Sequence, residues 1–273
     1  MSGSFGRGLH TAPGRAVDIS AYERYLGRWS RLFVPALLGA AKIAKGYRVL
    51  DVATGTGEAA LMAVPLVGDT GFVVGADISI EMVKSARARL GAPRFLPVNA
   101  DGQALPFGGG TFDAVVCQLG LQFFPNPAVG LMEFRRVARA GGMVAVCVGT
   151  TVAPMWRNLA HVLGPFLTLE QRDALAKSWS LADPSLLEEL FRNAGFQDIQ
   201  VEQIRREDTL DSFDTYWAPI EEGVGQIPQA YSALDEANRR AVRAEVDALL
   251  AQYASADGKL TMGVETLIGR GRA

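Results

Sequence analysis

The sequence is short of the residues that most often mark a metal site or a secreted protein. Its 273 residues include only two cysteines, Cys117 and Cys147, and two histidines. Both cysteines fall inside apolar runs that predict central strands, and their spacing is not that of metal ligands. We therefore expect a cytoplasmic protein with reduced thiols.

A strong charge imbalance and a long hydrophobic run are also absent. The formal net charge is −2, from 27 Lys and Arg against 29 Asp and Glu, so the chain lacks the basic footprint of a nucleic-acid-binding protein. No apolar run approaches the roughly 20 residues needed to span a bilayer. We expect neither a nucleic-acid partner nor a membrane span.

The most informative stretch is residues 47–58, which predicts a buried strand, a glycine turn and the start of a helix. Gly55 and Gly57 allow positive φ angles and a close approach of the backbone to a ligand, and the helix that follows points its free N–H groups there. Residues 55–60 also satisfy the G-x-G-x-x-G/A dinucleotide pattern. The turn alone therefore leaves the ligand open.

Two further predicted strands each end in an acidic residue. The strand at 72–76 is followed by Asp77, whose carboxylate can accept from both hydroxyls of a ribose. The strand at 94–100 is followed by Asp101, which can accept from an adenine amino group. These residues predict an adenosine-containing ligand along the ends of the first three strands.

Together the motifs resemble those of the Rossmann-like (class I) S-adenosylmethionine (SAM) dependent methyltransferases. Within this family they are most similar to the ubiquinone/menaquinone-biosynthesis C-methyltransferase branch. The matching pieces are residues 49–57, 75–79 with Met82, 99–107, 112–116 and 133–142. The resemblance is strong over residues 20–150 and weak beyond. One departure is Ala53, where many members have glycine, and a single methyl group there should be tolerated.

The alternation of strands and helices, together with the resemblance, predicts an α/β fold. Residues 18–44 are expected to form a helix that Pro35 kinks or interrupts, and the helix after the glycine turn is expected to run from Glu58 to Val64 and to end at Pro65. We expect a doubly wound, seven-stranded, mostly parallel sheet with helical cap insertions after strand 5 and between strands 6 and 7. The predicted divisions are a flexible tail (1–17), a SAM-binding core with a cover helix (18–150), a cap segment (151–182), a core helix with strand 6 (183–208), a cap insertion (209–258) and strand 7 (259–273). The insertions could instead serve homodimerisation or packing.

The resemblance implies SAM as cofactor, held by the cover helix and by the ends of the first four strands. The candidate cofactor residues are Tyr25, Arg28, Asp51, Ala53, Gly55, Gly57, Asp77, Ile78, Met82, Asp101, Gly102, Gln103, Gln118 and Phe123. Arg28 could pair with the methionine carboxylate. A ring at Phe123 or Phe124 could face the sulfonium, and Tyr22 is an alternative to Tyr25 in the cover helix.

Methyl transfer from a sulfonium mainly requires alignment and desolvation, so no catalytic triad is needed, and none is visible. A hydroxyl or acidic-carbon acceptor would benefit from a base near neutral pKa. His161 is the first candidate, because the other histidine, His10, lies in the predicted tail. A lone histidine among apolar residues is also typical of packing, and Glu221, Glu222 and Asp214 are alternatives.

The preferred function is SAM-dependent methyl transfer to O or C of a small, largely apolar or aromatic molecule. An NAD-dependent oxidoreductase would use the same glycine turn, but Asp101-Gly102-Gln103 and the absence of a Tyr-x-x-x-Lys pair argue against it. A protein that binds SAM without transferring methyl stays open as a third alternative.

Overall fold

A computed structural model describes residues 19–91, 93–150, 153–223 and 226–273. The side chains of Ile19, Ala21, Tyr25 and Gln226 lie outside this description, as do the predicted tail at 1–17 and His10.

A seven-stranded sheet in the order β3-β2-β1-β4-β5-β7-β6 forms the centre of the protein. Its strands are β1 Arg48–Val52, β2 Phe72–Asp77, β3 Phe95–Asn99, β4 Phe112–Gln118, β5 Ala138–Gly149, β6 Gln197–Leu210 and β7 Leu260–Arg272. Only β7 runs antiparallel to its neighbours within this sheet. The predicted doubly wound, mostly parallel sheet is confirmed, and its strand order reverses between β1 and β4, where such folds bind ligands.

Helices cover both faces of the sheet, each over its own apolar core. The helices are α1 Ile19–Tyr22, α2 Arg28–Ser30, α3 Val34–Ala40, α4 Glu58–Val67, α5 Ile80–Leu90, α6 Pro127–Val137, α7 Pro154–Leu163, α8 Leu169–Lys177, α9 Pro184–Asn193, α10 Phe213–Glu221, α11 Gln226–Ser232 and α12 Glu236–Leu250. Helices α3, α4, α7 and α12 pack on one face, α6 and α9 on the other. The α5 bounds agree with the sequence pattern, and Ser79 caps that helix by accepting from the Met82 N–H.

Two helix predictions need correction. The single helix expected over 18–44 is broken into α1, a π-helical turn at Glu23–Gly27, α2 and α3, and it ends at Ala40. Pro35 does not interrupt a helix, because it lies in the first turn of α3, where a proline loses no intrahelical hydrogen bond. Helix α4 does not stop before Pro65 but continues to Val67 and ends at Gly68, which has a φ of 65°.

The regions predicted as insertions are helical in the structure. Helices α7 and α8 follow β5, and α10 to α12 lie between β6 and β7. The two groups pack together, because the Tyr216 hydroxyl of α10 donates to the Met155 carbonyl of α7 at 2.8 Å and both groups contribute buried residues to one apolar core. They form one helical layer on the α3 face of the sheet.

No helix among the described residues has the length and apolar character needed to cross a membrane. Cys117 and Cys147 are buried in β4 and β5 as free thiols. Burial raises the pKa of both, that of Cys147 to about 12, so neither is a reactive thiolate.

Candidate functional site

Asp51 organises the carboxyl end of β1. Its Oδ2 atom accepts from the Thr54 hydroxyl at 2.7 Å and from the Ala60 N–H at 3.2 Å, which ties the glycine turn to the first turn of α4. Its Oδ1 atom is buried and has no hydrogen-bond partner within the described chain. Burial raises the pKa of Asp51 to about 7, although the two hydrogen bonds oppose the shift. A cationic or N–H group would satisfy this oxygen.

The glycine turn itself lies against Asp77, the last residue of β2. One Asp77 oxygen accepts from the Gly55 N–H and the other from the Ser79 N–H, both at 2.8 Å. Gly55 and Gly57 have φ angles of 55° and 88°, conformations that favour glycine. Burial raises the pKa of Asp77, opposed by these two backbone hydrogen bonds. Each carboxylate oxygen keeps a second lone pair for a ligand.

Asp101 lies just past the carboxyl end of β3. Its Oδ1 atom accepts from the Gln103 N–H at 2.8 Å, while its Oδ2 atom has no hydrogen-bond partner among the described residues. The Gln103 side chain turns away and accepts from the Asn126 N–H at 2.8 Å. A Cβ atom on Gly102 would lie 2.4 Å from the ring of Phe124, so a larger residue does not fit at this position. The predicted residues at β3 thus include one free acceptor, on Asp101.

At the carboxyl end of β4, Gln118 faces the N-terminal helical segment. Its Nε2 atom donates to the Ser30 carbonyl at 3.0 Å, and its Oε1 atom is buried without a hydrogen-bond partner in the described residues. Phe124 packs edge-on against Phe134, whereas Phe123 is 38 % exposed. Of the two rings considered for the sulfonium, Phe123 is therefore the one that is not committed to the core.

Residues 19–40, which we call the cover segment, lie over the glycine turn. The Tyr22 hydroxyl would be 3.9 Å from a Cβ atom on Gly55. Burial raises the pKa of Tyr22 to about 12, with the negative charge of Asp77 adding to the shift. A neutral phenol with an O–H to donate thus lies beside the Asp77 carboxylate.

Ion pairs hold the cover segment in place. Glu58, at the start of α4, accepts from Arg31 of the cover segment at 2.9 Å and from Arg89 of α5 at 3.0 Å. Arg89 also pairs with Glu23 at 2.9 Å. Burial opposes ionisation of Glu58, but the two arginines outweigh it and lower the pKa of its carboxyl. Sequence reasoning missed this network, because its members are distant in the chain and form no motif.

Other cofactor candidates occupy varied environments. Arg28 pairs with the buried Asp208 of β6 at 3.1 Å, so its guanidinium already has a carboxylate. Ile78 is 46 % exposed at the end of β2, whereas Met82 is 2 % exposed and belongs to the core. Ala53 is half-buried with a φ of 56°, a backbone conformation that favours glycine. The side chain of Tyr25 lies outside the described part of the chain.

The candidate bases lie in the helical layer rather than among the strand ends. Glu221 accepts from Trp217 and Arg243, and Glu222 pairs with Arg24 of the cover segment at 2.8 Å. Asp214 also pairs with Arg243, so each of these three carboxylates already forms an ion pair with an arginine.

His161 is exposed and lines an open, mainly apolar groove of about 330 Å³ between α7 and α8. Trp179 lines the same groove and approaches the end of β5, because its Cδ1 atom would be 3.9 Å from a Cβ atom on Gly149. The groove therefore reaches the carboxyl end of β5, which lies three strands from Asp77 of β2 in the sheet.

Comparison with known proteins identifies related sequences. A family model described as a methyltransferase domain matches residues 49–142. The chain is 34 % identical over 176 residues to the demethylmenaquinone methyltransferase of Lactococcus lactis, a match that covers 58 % of this chain and 69 % of that enzyme. It is 38 % identical over 120 residues to the ubiquinone/menaquinone biosynthesis C-methyltransferase UbiE of Coxiella burnetii, covering 42 % of this chain and 48 % of that one.

A similar fold occurs in a solved structure, phosphoethanolamine N-methyltransferase 2 of Haemonchus contortus in complex with SAM. The TM-score is 0.56 at 19 % sequence identity, and the match covers 93 % of this chain and 56 % of that one. At this identity the likeness concerns the fold alone.

Proposed function

Because this chain belongs to the class I SAM-dependent methyltransferases, in the branch of the ubiquinone and menaquinone C-methyltransferases, we propose that it methylates a carbon or oxygen atom of a small, largely apolar or aromatic molecule. The methyl donor of the family is SAM, which supplies an electrophilic methyl group on a positively charged sulfur. Family membership also sets aside the NAD-dependent oxidoreductase that the glycine turn alone would allow.

The unsatisfied polar atoms at the strand ends fit this donor. Asp77 would accept from the ribose hydroxyls with its remaining lone pairs, and the free Oδ2 atom of Asp101 would accept from the adenine amino group. The buried, unpartnered Oδ1 atom of Asp51 suits the positively charged methionine end. The exposed Ile78 would offer an apolar surface to the adenine ring.

The observation that carries the assignment is the double role of Asp77. Its two oxygens fix the Gly55 and Ser79 amides, so the turn and the start of α5 are set by the same carboxylate that the ligand would use. Preorganised acceptors need little rearrangement on binding, which favours affinity. Gly55 keeps the backbone open for the ligand, with the Tyr22 hydroxyl above it.

For the acceptor we propose the space between the carboxyl ends of β4 and β5 and the helical layer. Gln118 and Phe123 border it on the β4 side, and the groove with Trp179 opens beside β5. The apolar lining of that groove favours an apolar or aromatic molecule over a highly charged one. The quinone-directed names of the two bacterial relatives support the same class.

We propose His161 as the candidate base, because it lines that groove and is exposed to it. If His161 takes the acceptor proton, His161→Asn should lower the rate of methyl transfer to a hydroxyl acceptor by about 100-fold. An unchanged rate with intact SAM binding would assign it to packing. Glu221 and Glu222 stay weaker candidates, because each already holds an arginine.

Label transfer tests the proposed reaction. The full chain is incubated with methyl-labelled SAM and with panels of demethylated quinols, phenols and phosphorylated amines, and the product is identified by mass spectrometry. We expect label on a carbon or oxygen of a quinol or phenol. Label only on an amine would overturn the acceptor class, and SAM binding without transfer to any panel would favour a protein that binds SAM for another purpose.

A further inference from the structure

Strand β6 ends the sheet on one side and is long for an edge strand. It runs from Gln197 to Leu210 and pairs with β7 without interruption from Gln200 onward. Its other edge has no strand beside it in the described structure. Such an edge exposes unpaired N–H and C=O groups, which can template the addition of another strand.

Charged side chains usually protect an edge of this kind by opposing like charges. On one face of β6 the charges flank a central apolar residue, with Glu202 two residues before Ile204 and Arg206 two residues after it. Successive side chains of a strand alternate between faces, so these three share one face of the sheet. Glu202 and Arg206 are both exposed, and neither has an ion-pair partner among the described residues.

We propose that β6 pairs antiparallel with β6 of a second copy of this chain, joining two sheets into one across a two-fold axis at Ile204. In this register Ile204 lies opposite itself, and Glu202 of each copy lies opposite Arg206 of the other. Because of the two-fold symmetry the Glu202–Arg206 pair forms twice, once on each side of the axis, as in any isologous interface. Opposite charges directly across an antiparallel pair stabilise it.

The charges also select this register over its neighbours. Moving the axis to Gln203 places Glu202 opposite Ile204 and leaves both charges without a partner. Moving it to Arg205 places Glu202 opposite Asp208, two carboxylates that repel. The neighbouring arginine, Arg205, is already paired with the buried Glu265 of β7 at 2.7 Å, so it does not compete for Glu202.

Beside this edge lies an open groove of about 320 Å³ that has Glu202 and Ile204 in its lining, with Ala36, Gly39 and Ala40 of α3 on the opposite side. The small side chains of α3 leave room next to the strand on this face. An approaching second strand would therefore meet only small side chains from α3 itself, and the flexible Lys42 just past the helix is the long side chain on that side.

The test is a charge swap followed by sedimentation velocity with the full chain. We expect the native protein to sediment at about twice its chain mass of 29.2 kDa. Glu202→Arg alone and Arg206→Glu alone should each weaken the dimer by roughly tenfold or more, since two attractive pairs become repulsive. The double variant Glu202→Arg/Arg206→Glu should restore the dimer, because it re-forms both pairs with reversed signs.

Glu245→Arg on α12 is the matched control, an exposed glutamate far from β6 in sequence whose reversal should leave the mass unchanged. Circular dichroism of every variant checks that the chain is folded. A monomeric native protein overturns the proposal. So does a dimer that tolerates both single reversals, or one that the double variant fails to restore, because association would then use another surface.

Discussion

At the scale of single residues, the site depends on carboxylates that are buried before any ligand arrives. Asp51 and Asp77 stand at the ends of adjacent strands, and both have raised pKa values because burial disfavours their charge. Backbone and hydroxyl donors compensate part of that cost. Oxygens that still lack a partner are the ones a ligand can satisfy.

Asp77→Asn should weaken SAM binding. An amide cannot accept from both Gly55 and Ser79, and it loses the negative charge that strengthens hydrogen bonds to a ribose. We expect the dissociation constant to rise at least tenfold, for a loss of about 1.5 to 3 kcal/mol. Calorimetric titration measures it. Asp69→Asn is the control, because Asp69 is exposed before β2 and should leave the affinity unchanged.

Asp51 should make the stability of the ligand-free protein depend on pH. Its folded pKa of about 7 lies above the ordinary value of 3.8, so the folded state holds a proton that the unfolded state releases. Its contribution to stability is full below pH 4 and is lost as the pH rises through 7.

Between pH 5 and 8 the native protein should lose up to about 3 kcal/mol of unfolding free energy from this group. Urea unfolding at both pH values, with Asp51→Asn beside the native chain, isolates the effect. The variant should show a smaller loss with rising pH. Equal pH dependence in the two proteins would mean that Asp51 is ionised throughout.

At the scale of elements, the sequence predicted the sheet well and the cover segment poorly. Runs such as residues 72–76 and 114–117 are apolar on both faces, so their strand character is local and visible in the sequence. The breaks in the cover segment depend on contacts with distant residues. Glu58 and Arg89 fix it, and no pattern in the sequence connects these two residues with the cover segment.

Glu58→Gln should loosen the cover segment. The neutral amide keeps the size of the side chain but loses the ion pairs with Arg31 and Arg89. Because Arg31 is half-exposed, we expect a modest effect, on the order of 1 kcal/mol. Amide hydrogen exchange should accelerate in residues 19–40, and SAM should dissociate several-fold faster. Glu81→Gln, which removes an exposed pair with Lys84, should change neither.

The approach of two backbones at the end of β4 gives another prediction. A Cβ atom on Gly120 would lie 2.4 Å from the Cβ atom of Ala53, so Gly120→Ala forces the glycine turn to move. We expect a loss of about 1 to 3 kcal/mol in unfolding free energy. Gly39→Ala in α3 meets no atom within 4 Å and should instead raise stability by about 0.5 to 1 kcal/mol. Thermal unfolding of both variants compares the two, and equal melting temperatures would contradict the close approach.

At the scale of the whole molecule, the candidate site combines residues that local sequence patterns predict with residues that they do not. Asp77, Gly55 and Asp101 were predicted from strand ends and a glycine turn, because these features are local. The pairing of Arg28 with Asp208 and of Arg24 with Glu222 depends on how the cover segment packs against β6 and against the end of α10. No short-range pattern encodes such pairs, so only the three-dimensional structure reveals them.

A crystal structure of the full chain with S-adenosylhomocysteine tests the central claim most directly. We expect the ribose hydroxyls within hydrogen-bonding distance of the Asp77 carboxylate and the adenine beside Asp101, under the cover segment. A nucleoside bound away from the ends of β1, β2 and β3, or an Asp77 carboxylate that makes no contact with it, would contradict the proposed cofactor site.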